Sequence, residues 1–125
     1  MGEKENLALA KRYWDTWVTR DLNALREFLA DDCIQEFPQS GERIRGRDNI
    51  LAILENYPGL PKATIKRATC GNKLAVGEIQ LDYGHSVYDC VTIIEIKDGK
   101  IVHEVQYFAQ PFEAPAWRSQ WAERM

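Results

Sequence analysis

Disulfide frameworks, metal centres and phosphate loops all need residues that this 125-residue chain has little of. Its three cysteines, Cys33, Cys70 and Cys90, are odd in number, widely spaced and form no Cys-x-x-Cys pair, which excludes a disulfide scaffold or zinc ribbon. Cys33 and Cys90 fall in apolar or β-prone stretches with no His close in sequence to favour a thiolate, so they read as small buried hydrophobes. Two histidines make no transition-metal constellation, so neither a metal nor a cofactor is expected. His85 at a turn and His103 on a strand read as surface or interface residues, as does Asp89. There is no glycine-rich phosphate loop, and the alternating Arg43, Arg45 and Arg47 read as a solvated edge strand rather than an anion seat. A basic excess is also missing: sixteen Lys and Arg against nineteen Asp and Glu leave a net charge of -3, which argues against nucleic acid as a partner. Apolar runs stay as short as Leu7 to Ala10, far below a membrane span, so no membrane partner is expected. The opening Met1-Gly2-Glu3-Lys4-Glu5 is charged and unlike a signal peptide, which points to a cytoplasmic protein.

What the chain does have is rings. Four Trp, five Tyr and four Phe exceed what one small core needs. The mass of 14.4 kDa fits a single domain over residues 1–125. A compact chain of that size exposes roughly 6,800 Å² and buries about two-thirds of its unfolded surface, enough for a core without staples.

Periodicity divides the chain in two. Leu7, Ala10, Tyr13, Trp14, Trp17 and Val18 recur at helical spacing from Asn6 to Val18. Asp21 is placed to cap a short second helix from Leu22 to Leu29, ended by Asp31-Asp32. Cys33 to Phe37 reads as a strand stopped by Pro38, and a third helix is predicted from Asp48 to Asn56, broken by Pro58-Gly59-Leu60-Pro61. Beyond Pro61 come four β-rich runs: Ala63 to Cys70, Leu74 to Tyr83, Ser86 to Ile96 and Lys100 to Ala109. Gly71-Asn72, Gly84-His85 and Asp98-Gly99 join them as turns of an antiparallel meander. The expected class is α+β. Gly77, where the apolar parity changes, suggests a bulge that bends the sheet. A tail, residues 110–125, is expected to end in a helical turn from Pro115 that sets Trp117 and Trp121 on one face, over a pocket or a dimer edge.

Several phrases carry a resemblance: Arg12-Tyr13, Asp21-Leu22 through Phe28-Leu29-Ala30-Asp31-Asp32, Ile44-Arg45-Gly46-Arg47, and Asp98-Gly99-Lys100-Ile101 leading to Tyr107-Phe108. With them the chain resembles the nuclear transport factor 2-like superfamily, in its SnoaL-like and ketosteroid isomerase-like branches. The resemblance implies a cone-shaped barrel, a curved antiparallel sheet wrapped around the long first helix with two further helices, and a deep pocket. It further implies a homodimer formed through the outer face of the sheet. Function is not implied, because the superfamily holds isomerases, cyclases, epoxide hydrolases and proteins without chemistry.

A ketosteroid isomerase uses a phenol and a protonated acid as an oxyanion hole and a second carboxylate as proton shuttle. In this register the phenol is Tyr13, the shuttle position is Phe37 and the acid position is Thr92, so one of the three groups is kept. The Arg-x-Asp pairing of a limonene epoxide hydrolase-like site is also missing, since Asp89 has no Arg two residues away. The same register puts Glu104 and Phe108 on the pocket face, whereas simple alternation turns Glu104 and Gln106 to solvent; a sheet covered on both faces leaves the two open. In the pocket, burial would favour the neutral form of Glu104 and make it the available general acid or base. Tyr13 either donates to a developing oxyanion or packs its ring beside Trp14 and Trp17. The expected site thus has Tyr13 and Glu104 as catalytic groups and Trp14, Trp17, Phe37, Tyr57, Thr92 and Phe108 as substrate-binding walls. Its ligand would be a small apolar molecule, isomerised, cyclised or hydrated without a cofactor, or held without turnover; the alternative is a non-catalytic dimerisation module whose cavity is filled by its own side chains.

Overall fold

A computed structural model describes residues 2–125. Helix α1, Glu3–Trp17, starts with Glu3 and Glu5 at the positive end of its dipole and buries Leu9, Ala10, Tyr13 and Trp14 along one face. Asp21 Oδ1 accepts from the backbone N–H of Ala24 at 3.1 Å and starts α2, Leu22–Phe28. Strand β1, Leu29–Phe37, follows without a break, so Asp31 and Asp32 lie inside a strand rather than ending a helix. Strand β2, Glu42–Arg45, leads through Gly46, at φ +91°, into α3, Arg47–Glu55. The meander is β3, Lys62–Gly71, β4, Leu74–Asp82, β5, Val87–Lys97, and β6, Lys100–Ala109. Asn72 and Lys73 turn the first hairpin, one residue later than expected, and Asp98 with Gly99 turns the last; all four have positive φ.

The six strands run in the order β2-β1-β6-β5-β4-β3, and every neighbouring pair is antiparallel except β1 with β6. The sheet curves as an open cone with α1 lying across β3 and β4. The side chains of Leu9, Ala10, Tyr13 and Trp14 meet Leu25, Ile50, Leu51, Leu54, Ile79, Leu81, Ile94 and Ile101 in one core. Among the described residues no helix is long and apolar enough to cross a membrane.

The expected bulge at Gly77 is absent. β4 keeps one inward parity through Ala75, Gly77, Ile79 and Leu81, and Leu74 and Val76 belong to its outer face. The irregularity lies on the neighbouring strand, between Ile65 and Arg67. Gly77 serves another purpose: a Cβ there would stand 2.7 Å from two carbons of the Trp14 ring, so its bare backbone is the seat of that indole. In the tail the helical turn after Pro115 is a single 3₁₀ turn, Ala116–Arg118, and Trp117 and Trp121 are both exposed.

Candidate functional site

The inner face of the sheet is polar where β1, β5 and β6 meet. β6 points Glu104 and Gln106 inward and Val105 and Tyr107 outward, the reverse of what apolar alternation suggests. Gln35 on β1 is the register partner of Glu104, and Thr92 on β5 is the partner of Gln106. The topology therefore gathers four polar side chains at one spot. Tyr13 approaches the same spot from α1.

Glu104 is 1% exposed and accepts four hydrogen bonds. Its Oε1 accepts from the Tyr13 hydroxyl at 2.6 Å and from Gln35 Nε2 at 2.9 Å. Its Oε2 accepts from Thr92 Oγ1 at 2.9 Å and from Gln106 Nε2 at 3.0 Å. Each oxygen has two lone pairs, so all four acceptor sites of the group are taken. Against the burial that would favour its neutral form stand these four donors. None of them is a cation: the charge is held by neutral dipoles.

The negative charge shapes its surroundings. Burial, then the charge of Glu104 and its hydrogen bond, raise the Tyr13 phenol well above its ordinary value. Burial, then Glu104, push the Cys33 and Cys90 thiols up to about 12, which leaves both as inert thiols. One carboxylate is thus surrounded by acids that keep their protons.

Glu104, Thr92 and Gln106 line a cavity whose other walls are Trp14, Trp17, Val18, Ala63, Ile79, Leu81, Cys90 and Phe108. Thr92 and Gln106, the donors to Oε2, belong to that lining, whereas Tyr13 and Gln35, the donors to Oε1, lie outside it. The cavity leaves about 30 Å³ for the centre of a water-sized sphere. One water needs roughly 10–15 Å³ on that measure, so there is room for about two. Anything larger has to displace Trp17 or Phe108, the two half-buried rings of the wall.

Phe37 and Tyr57 are not cavity walls. They line an adjoining open groove of about 400 Å³ that shares Phe108 with the cavity. Phe37 stacks on Phe108 at 6.2 Å between ring centres, and Tyr57 meets Trp17 edge-on at 5.3 Å. These contacts brace the two half-buried rings from outside. Of the expected residues, Trp14, Trp17, Thr92, Phe108 and Glu104 surround the cavity, Tyr13 supports Glu104 from behind, and Phe37 and Tyr57 form its outer rim.

Gln35 and Gln106 were missed by sequence reasoning. Their signal was positional: Gln35 shares strand parity with Cys33, and Gln106 shares it with Glu104. Two of the three arginines are paired, Arg43 with Glu36 at 3.2 Å and Arg47, at the start of α3, with Asp31 at 2.8 Å. His103 sits on the outer face with Glu36 at 2.6 Å, and Asp89 lies 3.8 Å from Lys66. Among the described residues no three His, Cys, Asp or Glu side chains gather as a metal site.

An open six-stranded cone with a long helix across it is a recognisable frame, and comparison of sequences identifies it. Residues 10–104 match the SnoaL-like domain. The chain belongs to the SnoaL-like family. Among solved structures, an NTF-2 like protein of unknown function from Burkholderia xenovorans is 37% identical, with 98% of each chain covered and a TM-score of 0.85. A candidate ketosteroid isomerase from Kribbella flavida is 29% identical over 98% of this SnoaL-like chain and 91% of its own, with a TM-score of 0.93. An epoxide hydrolase of the LEH-like type from M. tuberculosis, at 20% identity, 85% and 84% coverage and a TM-score of 0.73, shares the fold. No curated protein matches the sequence.

Proposed function

We propose that this SnoaL-like protein binds a small molecule in the Glu104 cavity and transfers a proton to and from it without a cofactor. The observation that carries the reading is a fully buried carboxylate with no cationic partner, set in the wall of an otherwise mostly apolar cavity. Such a group is costly to bury and adds nothing to packing that an apolar residue would not supply. Glu104 Oε2 takes the proton from a substrate C–H or from water and returns it at a second position, which amounts to isomerisation or hydration. For that, one of the two Oε2 donors must give way. Thr92 is suited to it, because its hydroxyl turns about one bond while the oxygen keeps its place. Tyr13 donates to Glu104, so its part is to fix and stabilise the carboxylate rather than to face an oxyanion. The donor left in the wall is the indole of Trp14, whose buried Nε1–H has no acceptor among the described residues.

The names of the solved relatives suggest the screen: small enolisable ketones and small epoxides. With a substrate found, Glu104→Gln is expected to lower kcat by about 100-fold or more, the usual worth of a positioned base, with KM little changed. Unchanged turnover would exclude Glu104 as the proton acceptor. One observation favours binding without turnover: all four acceptor sites of Glu104 are occupied. In that case a ligand is retained through purification, and no member of the screen is consumed. The same reading includes a homodimer through the outer sheet face and a cytoplasmic location.

A further inference from the structure

The large hydrophobic side chains that the fold leaves exposed are not scattered. Leu74, Val87, Val91 and Tyr107 lie on the outer face of β4, β5 and β6; Phe112, Trp117, Trp121 and Met125 lie on the tail; Ile53 stands apart on α3. The two groups are continuous, because the tail leaves β6 two residues after Tyr107, which pairs with Val91 across the sheet. Phe112 is 79% exposed and Trp117 and Trp121 are each 76% exposed, so the tail buries none of its rings in its own chain. Isolated exposed apolar residues are ordinary, but three rings on sixteen residues are not.

Every residue of the tail but Pro115 is exposed. Pro111 and Pro115 restrict the backbone, and Pro115 is extended at φ -64° and ψ 135°. The match to the Burkholderia xenovorans and Kribbella flavida structures covers 98% of the chain, the tail included. The total surface agrees: 8347 Å² are exposed, against roughly 6,800 Å² for a compact monomer of this mass, an excess of about 1,500 Å².

The geometry points to a second copy of this chain as the occupant. We infer that the tail is a dimer arm, with Phe112, Trp117 and Trp121 of each protomer packed on the outer sheet face of the other, around Val91 and Tyr107. This rests on the sheet-face dimer proposed above and adds the element that secures it. Three aromatic side chains bury on the order of 150–250 Å² each when covered, and two reciprocal arms approach the roughly 1,000 Å² that a stable interface needs before the sheet faces themselves are counted. Charge favours the same partner. Residues 110–125 hold Glu113 and Glu123 against Arg118 and Arg124, so the arm has no basic excess to draw it to a lipid headgroup or to nucleic acid. The prolines keep the arm extended before it docks, which lowers the entropy lost on association.

Sedimentation equilibrium tests this on three proteins: the full chain, a chain ending at Gln110, and the double variant Trp117→Ala/Trp121→Ala. The full chain is expected to be a dimer at low micromolar concentration. Both altered proteins should dissociate at about 100-fold higher concentration, since buried Trp residues rank among the strongest interface anchors. Their thermal midpoints at concentrations where all three are monomeric should agree, because the tail buries nothing in its own chain. If the altered proteins dimerise as tightly as the full chain, the arm is wrong and the sheet-face dimer stands. If the full chain is a monomer at about 100 μM, well above ordinary dimer affinities, both are wrong. Should the shortened chain fail to fold, the double variant decides alone.

Discussion

Glu104→Leu should cost about 4 kcal/mol or more of folding stability. The side chains are close in volume, so packing changes little, but four donors lose their acceptor together. Tyr13, Gln35, Thr92 and Gln106 are all buried, and the apolar walls around them offer no replacement. Each unsatisfied buried donor costs ~1–3 kcal/mol, against a total stability of ~5–15 kcal/mol for a domain of this kind. Replacing a whole buried ion pair with apolar residues is often harmless, but here only the acceptor is removed and its donors stay. Glu104→Gln should cost much less, about 1–2 kcal/mol. Its amide N–H₂ faces Thr92 and Gln106, and both can invert: the hydroxyl accepts as well as donates, and the glutamine amide can turn its oxygen inward. Urea unfolding of the two variants checks the order. Equal losses, or a stable Leu variant, would mean that the four contacts do not bear on stability together.

Gly77→Ala should be the second severe change, although it adds a single methyl group. That methyl would stand 2.7 Å from two ring carbons of Trp14 and 3.0 Å from a third. Trp14 is fixed on α1 between the sheet and the cavity and is 4% exposed, so it has nowhere to retreat except into the cavity. Overpacking of this kind costs ~1–3 kcal/mol, and here the displaced ring would also close the ligand space. The prediction is a lowered urea midpoint together with lost ligand binding. Trp14→Leu in the same chain should relieve the clash, so the double variant should be more stable than the two single losses added together. A neutral Gly77→Ala would show that the indole is not seated on this strand.

The element order was legible because it depends on local chemistry: helical spacing to Val18, the Asp21 cap, the proline break and the Asp98-Gly99 turn. What resisted reading was which face of the sheet is inside. Alternation assumes that apolar residues point inward and polar ones outward. In β6 the outward residues are Val105 and Tyr107, while the inward ones are Glu104 and Gln106. An outer face with exposed apolar side chains and an interior that holds a polar site invert the usual contrast together. The same inversion at Leu74 and Val76 suggested a bulge at Gly77 where the strand is regular. The fold resemblance placed Tyr13, Thr92 and Glu104 near one another, but their arrangement as donors around one acceptor depends on a pairing no local pattern encodes. Gln35 lies 69 positions from Glu104 and meets it only because β1 and β6 run parallel.

Proton transfer at this site requires Glu104 to be a carboxylate held by neutral donors inside the core. Infrared difference spectra between the native protein and Glu104→Gln, with glutamate carbon-13 labelled to separate it from the aspartates, observe that group directly. The prediction at pH 7 is a shifted carboxylate pair of bands and no protonated carboxyl band, with the carboxylate bands perturbed further by Tyr13→Phe, which removes the 2.6 Å hydrogen bond. A protonated carboxyl band from Glu104, or carboxylate bands at the frequency of a water-exposed glutamate and indifferent to Tyr13→Phe, would contradict it.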